Sequence, residues 1–150
     1  MIVVDASVVV DWVQPGSQPD SPARRALARW AAAGEALAAP RLMREQVTNA
    51  LLTGVRRRRW TGSEADAAFV LLRDLPVPSL DTAADLDRAF DLSRRHDEHP
   101  VYDMLYVALA ERLGATLVTA DEQLARRLAT VPHIQALTDA VAGATDVRDS

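Results

Sequence analysis

The sequence predicts a three-layer α/β/α fold around a central parallel sheet, and three observations carry that prediction. Short apolar runs rich in β-branched residues alternate with longer amphipathic stretches, the pattern of parallel strands joined by crossover helices. The two best runs, Ile2-Val3-Val4 and Thr116-Leu117-Val118-Thr119, lack strict polar alternation, as strands covered on both faces do. Each leads to an aspartate, Asp5 or Asp121, at the start of a helix. The chain has 150 residues, 49% hydrophobic and 25% charged, enough for one domain with its own core.

Taken in order, the first strand is Ile2–Val4 and ends at Asp5. Ser21 and Pro22 supply an N-cap and a first-position proline for a helix to about Ala33, stopped by Gly34. Residues 36–39 form a short strand before Pro40, which opens a helix with Met43, Val47, Ala50 and Leu51 on one face. Ser63, with Asp66 three residues on, is expected to cap the next helix, and Val77–Leu80 to add a strand. Asp81 or Thr82 starts a helix that runs to Arg94-Arg95. Val101, Leu105, Ala108 and Leu109 stripe another, closed by Gly114. After the Thr116–Thr119 strand, Asp121 caps a further helix and Ile134–Leu137 forms the last strand. The expected domain is 1–142, with 143–150 a polar tail.

Composition removes several chemistries. There is no cysteine, hence no disulfide, thiolate metal site or thiol nucleophile. All 17 basic residues are arginine, which excludes a phosphate-loop lysine, a Schiff base and the lysine of a receiver-like phosphoacceptor. A haloacid-dehalogenase-like phosphotransferase is disfavoured because Ser7 stands where its second aspartate belongs. The net charge of −4 offers no global attraction for nucleic acid, so such binding needs local patches or metal ions. Neither a basic leader nor a long apolar span is present, so the expected location is cytoplasmic, with no membrane association.

In an open parallel sheet, functional residues gather beyond the carboxyl ends of the strands. Asp5 and Asp121 lie at two such ends, and Asp103 falls in the first turn of the helix after Pro100. Carboxylates about 4 Å apart repel by about 4 kcal/mol per pair, so a cluster calls for a hard cation or shifted ionisation. Each of the three also sits where a plain helix cap would. At this level both readings stand.

Four segments together resemble the motif series of PIN domains. They are Met1-Ile-Val-Val-Asp5-Ala-Ser7, Pro40 to Leu51 with Val47-Thr-Asn49-Ala-Leu51, Pro100-Val-Tyr102-Asp103-Met-Leu-Tyr106-Val-Ala-Leu-Ala110, and Leu117-Val-Thr119-Ala-Asp121-Glu-Gln-Leu124. In order and spacing they are most similar to VapC-type toxins of VapBC toxin–antitoxin pairs. The resemblance implies a Mg2+-dependent endoribonuclease, with Mn2+ an alternative ion. Asp5 and Asp103 would be metal ligands and Asp121 a third acid holding metal or its waters, with Ser7, Asn49 and Thr119 in support. It also implies a homodimer and a VapB-like antitoxin whose basic tail is held over the acidic crevice.

One position departs from the pattern. Where the family places a glutamate three residues before Asn49, this chain has Gln46, with Glu45 displaced by one. One residue is 100° of helical rotation, so Gln46 borders the core stripe and Glu45 points nearly opposite. A glutamine can ligate through its carbonyl oxygen but adds no charge, which weakens a second metal position. A natural site of reduced strength, a helix shift that lets Glu45 serve, and a glutamate replaced to silence the enzyme all fit the sequence. A weakened PIN domain acting as an RNA-binding or regulatory module, and a housekeeping RNA-processing nuclease, are the alternative functions. Arg56, Arg57, Arg58 and Arg59 are candidate RNA or partner contacts, or simply favourable charges at a helix C-terminus. His96 and His99 read as surface residues, Trp12, Trp30 and Trp60 as core or interface, and Glu122 as a first-turn acid.

Overall fold

The computed structural model describes residues 1–142, so the expected tail at 143–150 lies outside the described residues. The elements in chain order are β1 (Ile2–Val4), α1 (Ala6–Val13), α2 (Pro22–Ala32), β2 (Leu37–Ala38), α3 (Leu42–Arg56), α4 (Gly62–Asp74), α5 (Ala83–Arg95), α6 (Val101–Leu113), β3 (Thr116–Thr119), α7 (Glu122–Arg127), β4 (Ile134–Ala136) and α8 (Leu137–Ala142). The four strands form one parallel sheet in the order β2-β1-β3-β4, flanked by helices in the expected three-layer arrangement. Val3 pairs with Ala38 on one side and Leu117 on the other, so the first strand of the chain is central. Parallel pairing aligns the carboxyl ends of β1 and β3, and the Asp5 N–H donates to the Val118 carbonyl at 3.0 Å.

Burial follows the apolar pattern. Val3, Val4 and Val118 are fully buried in the sheet, with Val8 and Val9 of α1 and Met104 and Leu109 of α6 packed on it. Trp12 and Trp30 meet edge to face with centroids 6.3 Å apart, and the Trp12 indole N–H donates to the Ala23 carbonyl. Both are core residues, as expected. A smaller cluster of Leu51, Ala65 and Ala68 joins α3 to α4, covered by Trp60. Gly54 is required there by close approach: a Cβ at this position would overlap the Trp60 ring. Asp85, 2% exposed, accepts from Arg112 Nε at 2.8 Å and from the Thr82 N–H at 2.8 Å, tying the start of α5 to the end of α6. The neighbouring Arg112 guanidinium holds the Asp85 carboxyl below its ordinary range, against the opposing effect of burial.

Three expectations are corrected. The cap of α4 is Thr61 in a reciprocal box with Glu64, not Ser63 with Asp66; the longer glutamate reaches back to the Thr61 N–H at 2.7 Å. Val77–Leu80 contributes a single bridge, Ala39 with Ser79, because Pro76 and Pro78 have no N–H to extend a ladder. Instead Arg44 of α3 donates to the carbonyls of Leu72, Leu75 and Val77, holding this segment against the domain. The last strand stops at Ala136, and Leu137 opens α8, a helix beyond those expected.

Candidate active site

The site grows from the end of β1. Asp5 occupies the N-cap position of α1, yet its side chain makes no cap bond. It is instead the acceptor of two hydroxyls, Ser7 Oγ and Thr119 Oγ1, both 2.7 Å from Oδ2. Those hydroxyls are themselves fixed: Ser7 Oγ accepts from the Ala120 N–H, and Thr119 Oγ1 from the Asp121 N–H, each at 3.0 Å. The two hydroxyls also lie 3.3 Å from one another, and Oδ1 is left without a side-chain donor among the described residues. The carboxylate is 8% exposed. Burial pushes its pKa up, the two hydroxyls pull it down, and the charge of Asp103 adds a further upward push.

Asp103 stands in the first turn of α6, with its side chain one-third exposed. Its Oδ2 lies 2.7 Å from His99 Nε2. His99 is only 9% exposed at its side chain, so the expectation of a surface histidine is wrong for it. The i, i+4 spacing to Asp103 across Pro100 is the signal that could have found it. One turn further along α6, the buried Tyr106 hydroxyl donates to Gln46 Oε1 at 2.6 Å. Burial pushes this phenol far up, and the charges of Asp5 and then Asp103 reinforce the shift, so it stays protonated.

Gln46 therefore joins the group through Tyr106, with its carbonyl oxygen already engaged. Glu45 does not join: it points outward to Arg41 at 3.4 Å with its side chain 61% exposed, so no helix shift substitutes it. Asn49 is exposed on α3. Asp121 is also exposed, and its Oδ1 accepts from the Gln123 and Leu124 N–H groups at 3.0 Å, the cap role. The expected three-acid cluster is thus reduced to Asp5 and Asp103, whose charges interact, with the Asp121 carboxylate engaged as a cap. Among the described residues no three His, Asp or Glu side chains form a ready metal cage. The donor set nevertheless fits a hard divalent ion that keeps several waters: two carboxylates, one desolvated and fixed, with no competing cationic side chain bonded to Asp5. Arg56 to Arg59 are exposed at the far end of α3, about 15 Å along the helix from Gln46. Arg59 lies over the Trp60 ring, 4.9 Å from its centroid.

A parallel sheet flanked by helices, with an acid pair at its carboxyl edge, defines the class. The chain belongs to the PIN-domain family, whose model matches residues 2–129. It is 38% identical over 125 residues to Ribonuclease VapC3 of Mycobacterium tuberculosis, covering 83% of this chain and 85% of that protein. Among solved structures, PAE2754 from Pyrobaculum aerophilum superposes with a TM-score of 0.67 at 20% identity, covering 97% of this chain and 95% of that one. A toxin–antitoxin complex from Klebsiella pneumoniae gives 0.65 at 14% identity, with 91% and 98% covered.

Proposed function

We propose that this chain is a metal-dependent endoribonuclease and the toxin of a type II toxin–antitoxin pair. The observation that carries the proposal is Asp5: a buried carboxylate kept from its cap role by two hydroxyls and set beside Asp103, in a chain similar to VapC3. Asp5 and Asp103 would hold Mg2+, with Mn2+ able to replace it, and Asp121 would reach its waters. When bound, such an ion supplies an acidified water and a counter-charge for an opening phosphodiester. Ser7 and Thr119 keep Asp5 ionised and fixed. Tyr106 orients Gln46, whose amide N–H groups remain available to a phosphate oxygen. Arg56 to Arg59 would contact RNA phosphates farther along the strand.

The proposed partners are RNA, a VapB-like antitoxin and a second copy of the chain. Leu52, Phe69, Val70, Leu71, Leu86 and Phe90 are exposed on α3, α4 and α5, apolar area that supports self-association. No helix of residues 1–142 is long and apolar enough to cross a membrane. Gln46 favours a second reading, a PIN domain of reduced activity that binds RNA. Cleavage of a structured RNA by antitoxin-free protein, with Mg2+, with Mn2+ and with EDTA, tests both. Metal-dependent cleavage lost in Asp5→Ala supports the nuclease. Silence that persists in Gln46→Glu supports the binding module.

A further inference from the structure

The segment between α5 and α6 is built to deliver His99 onto Asp103. After His96 the chain turns through Asp97 and Glu98, at φ 55° and 52°, two successive left-handed residues without a glycine. L-residues with side chains adopt that region at a cost, and a consecutive pair persists only where surroundings impose it. Here the His99 N–H donates to the His96 carbonyl at 3.1 Å, and Glu98 pairs with Arg94 in the last turn of α5 at 2.8 Å. Pro100 then starts α6, and the imidazole lies back over its first turn with Nε2 on Asp103 Oδ2. It is the only side chain hydrogen-bonded to that carboxylate among the described residues.

We propose that His99 is a positioning residue of the site: its Nε2–H fixes the plane of the Asp103 carboxylate and leaves Oδ1 as the oxygen presented for ligation. This rests on the metal-dependent reading above. Either the neutral Nε2–H tautomer or the imidazolium donates this bond, so its orienting role needs no change of charge. Carboxylates that ligate metals depend on such outer partners for orientation, and losing one typically costs about 10- to 100-fold in metal affinity or activity. The opposite role is a blocking contact, in which the imidazole occupies an oxygen the ion needs.

The test is calorimetric titration of Mn2+ into the full chain, comparing wild type with His99→Phe, which keeps bulk without a donor, and His99→Gln, whose amide N–H reaches as Nε2 does. Melting in EDTA and the RNA cleavage constants accompany it. His99→Phe should bind Mn2+ about 10- to 100-fold more weakly and lose kcat more than it raises KM for RNA. Its EDTA melting temperature should stay near that of wild type, and His99→Gln should regain most of the affinity. Equal or tighter Mn2+ binding by a folded His99→Phe overturns the assignment. If His99→Phe does not fold, His99→Gln decides: near-wild-type affinity supports the donor role, and affinity as low as that of Asp103→Ala refutes it. A wild type that neither binds Mn2+ nor cleaves RNA sinks the nuclease reading as well, whereas a wild type that does both beside an unaltered His99→Phe sinks only the role of His99.

Discussion

Replacing Asp5 by asparagine should leave the metal-free protein as stable as wild type, or more so, while abolishing its response to divalent ions. The asparagine oxygen can take the place of Oδ2 and accept from both Ser7 and Thr119, so neither hydroxyl is orphaned. Two charge-assisted bonds become neutral ones, a loss of about 1 kcal/mol each. Against this, the repulsion from Asp103 disappears, on the order of 1–3 kcal/mol for interacting charges at an effective dielectric of 20. The cost of holding a charge at an 8% exposed position also goes. The balance is a gain of about 0–3 kcal/mol, or up to about 10 °C in a chain of this length. Its pH dependence has a definite sign. The folded-state pKa of Asp5 lies above the ordinary value of 3.8, so wild type carries the full penalty at neutral pH and loses it as pH falls through that raised value. The gap in melting temperature should therefore close on acidification. Mn2+ at about 100 times its dissociation constant should stabilise wild type by about 2.7 kcal/mol and Asp5→Asn hardly at all. A variant melting well below wild type in EDTA at pH 7 would refute this reasoning and make the ionised carboxylate a structural element.

Gln46→Glu should tighten Mn2+ binding, raise RNA cleavage and lower the EDTA melting temperature, because a third charge joins Asp5 and Asp103; identical calorimetry for the two proteins would show that position 46 does not face the acids. Asp85→Asn should cost about 1–3 kcal/mol at pH 7 by weakening the bonds from Arg112 and Thr82. With the folded-state pKa of Asp85 depressed, that stabilisation is present above 3.8 and lost as pH falls through the lower value. Denaturant melts at pH 7 and near pH 2 should therefore differ in the size of the deficit, and an equal deficit would exclude charge as its origin. Gly54→Ala should destabilise by about 1–3 kcal/mol through overlap with the Trp60 ring, read as a lower melting temperature; an unchanged value would mean that the indole has another seat.

Much of the scaffold was legible because it obeys local rules. β1 and β3 announce themselves by apolar runs that end in acids, Ser21-Pro22 and Gly114 mark helix ends, and the parallel order follows from the alternation. Asp5 and Asp103 were legible by position, but the loss of a cap bond at Asp5 shows only in tertiary contacts: Thr119, 114 residues away, donates to the carboxylate that would otherwise face α1. His99 reads as a surface residue in the sequence because Asp97 and Glu98 carry no glycine to signal the left-handed turn that folds it back. The Tyr106 bond to Gln46 spans 60 residues between two helices, beyond any single-element pattern. Val77–Leu80 reads as a strand only if its apolar residues outweigh Pro78 within it and Pro76 just before it.

The position of β1 in the sheet sets the order in which the candidate site can assemble. It precedes every other described element in the chain, yet one of its two neighbours, β3, lies in the last quarter of the described residues. Until that strand docks, Asp5 lacks the Thr119 hydroxyl and the Ala120 N–H that locks Ser7. Asp103 and His99 are also translated late. Such non-local closure is slow relative to helix formation. A fragment truncated before Thr119 thus has no assembled crevice, and the site closes only once nearly the whole domain is present.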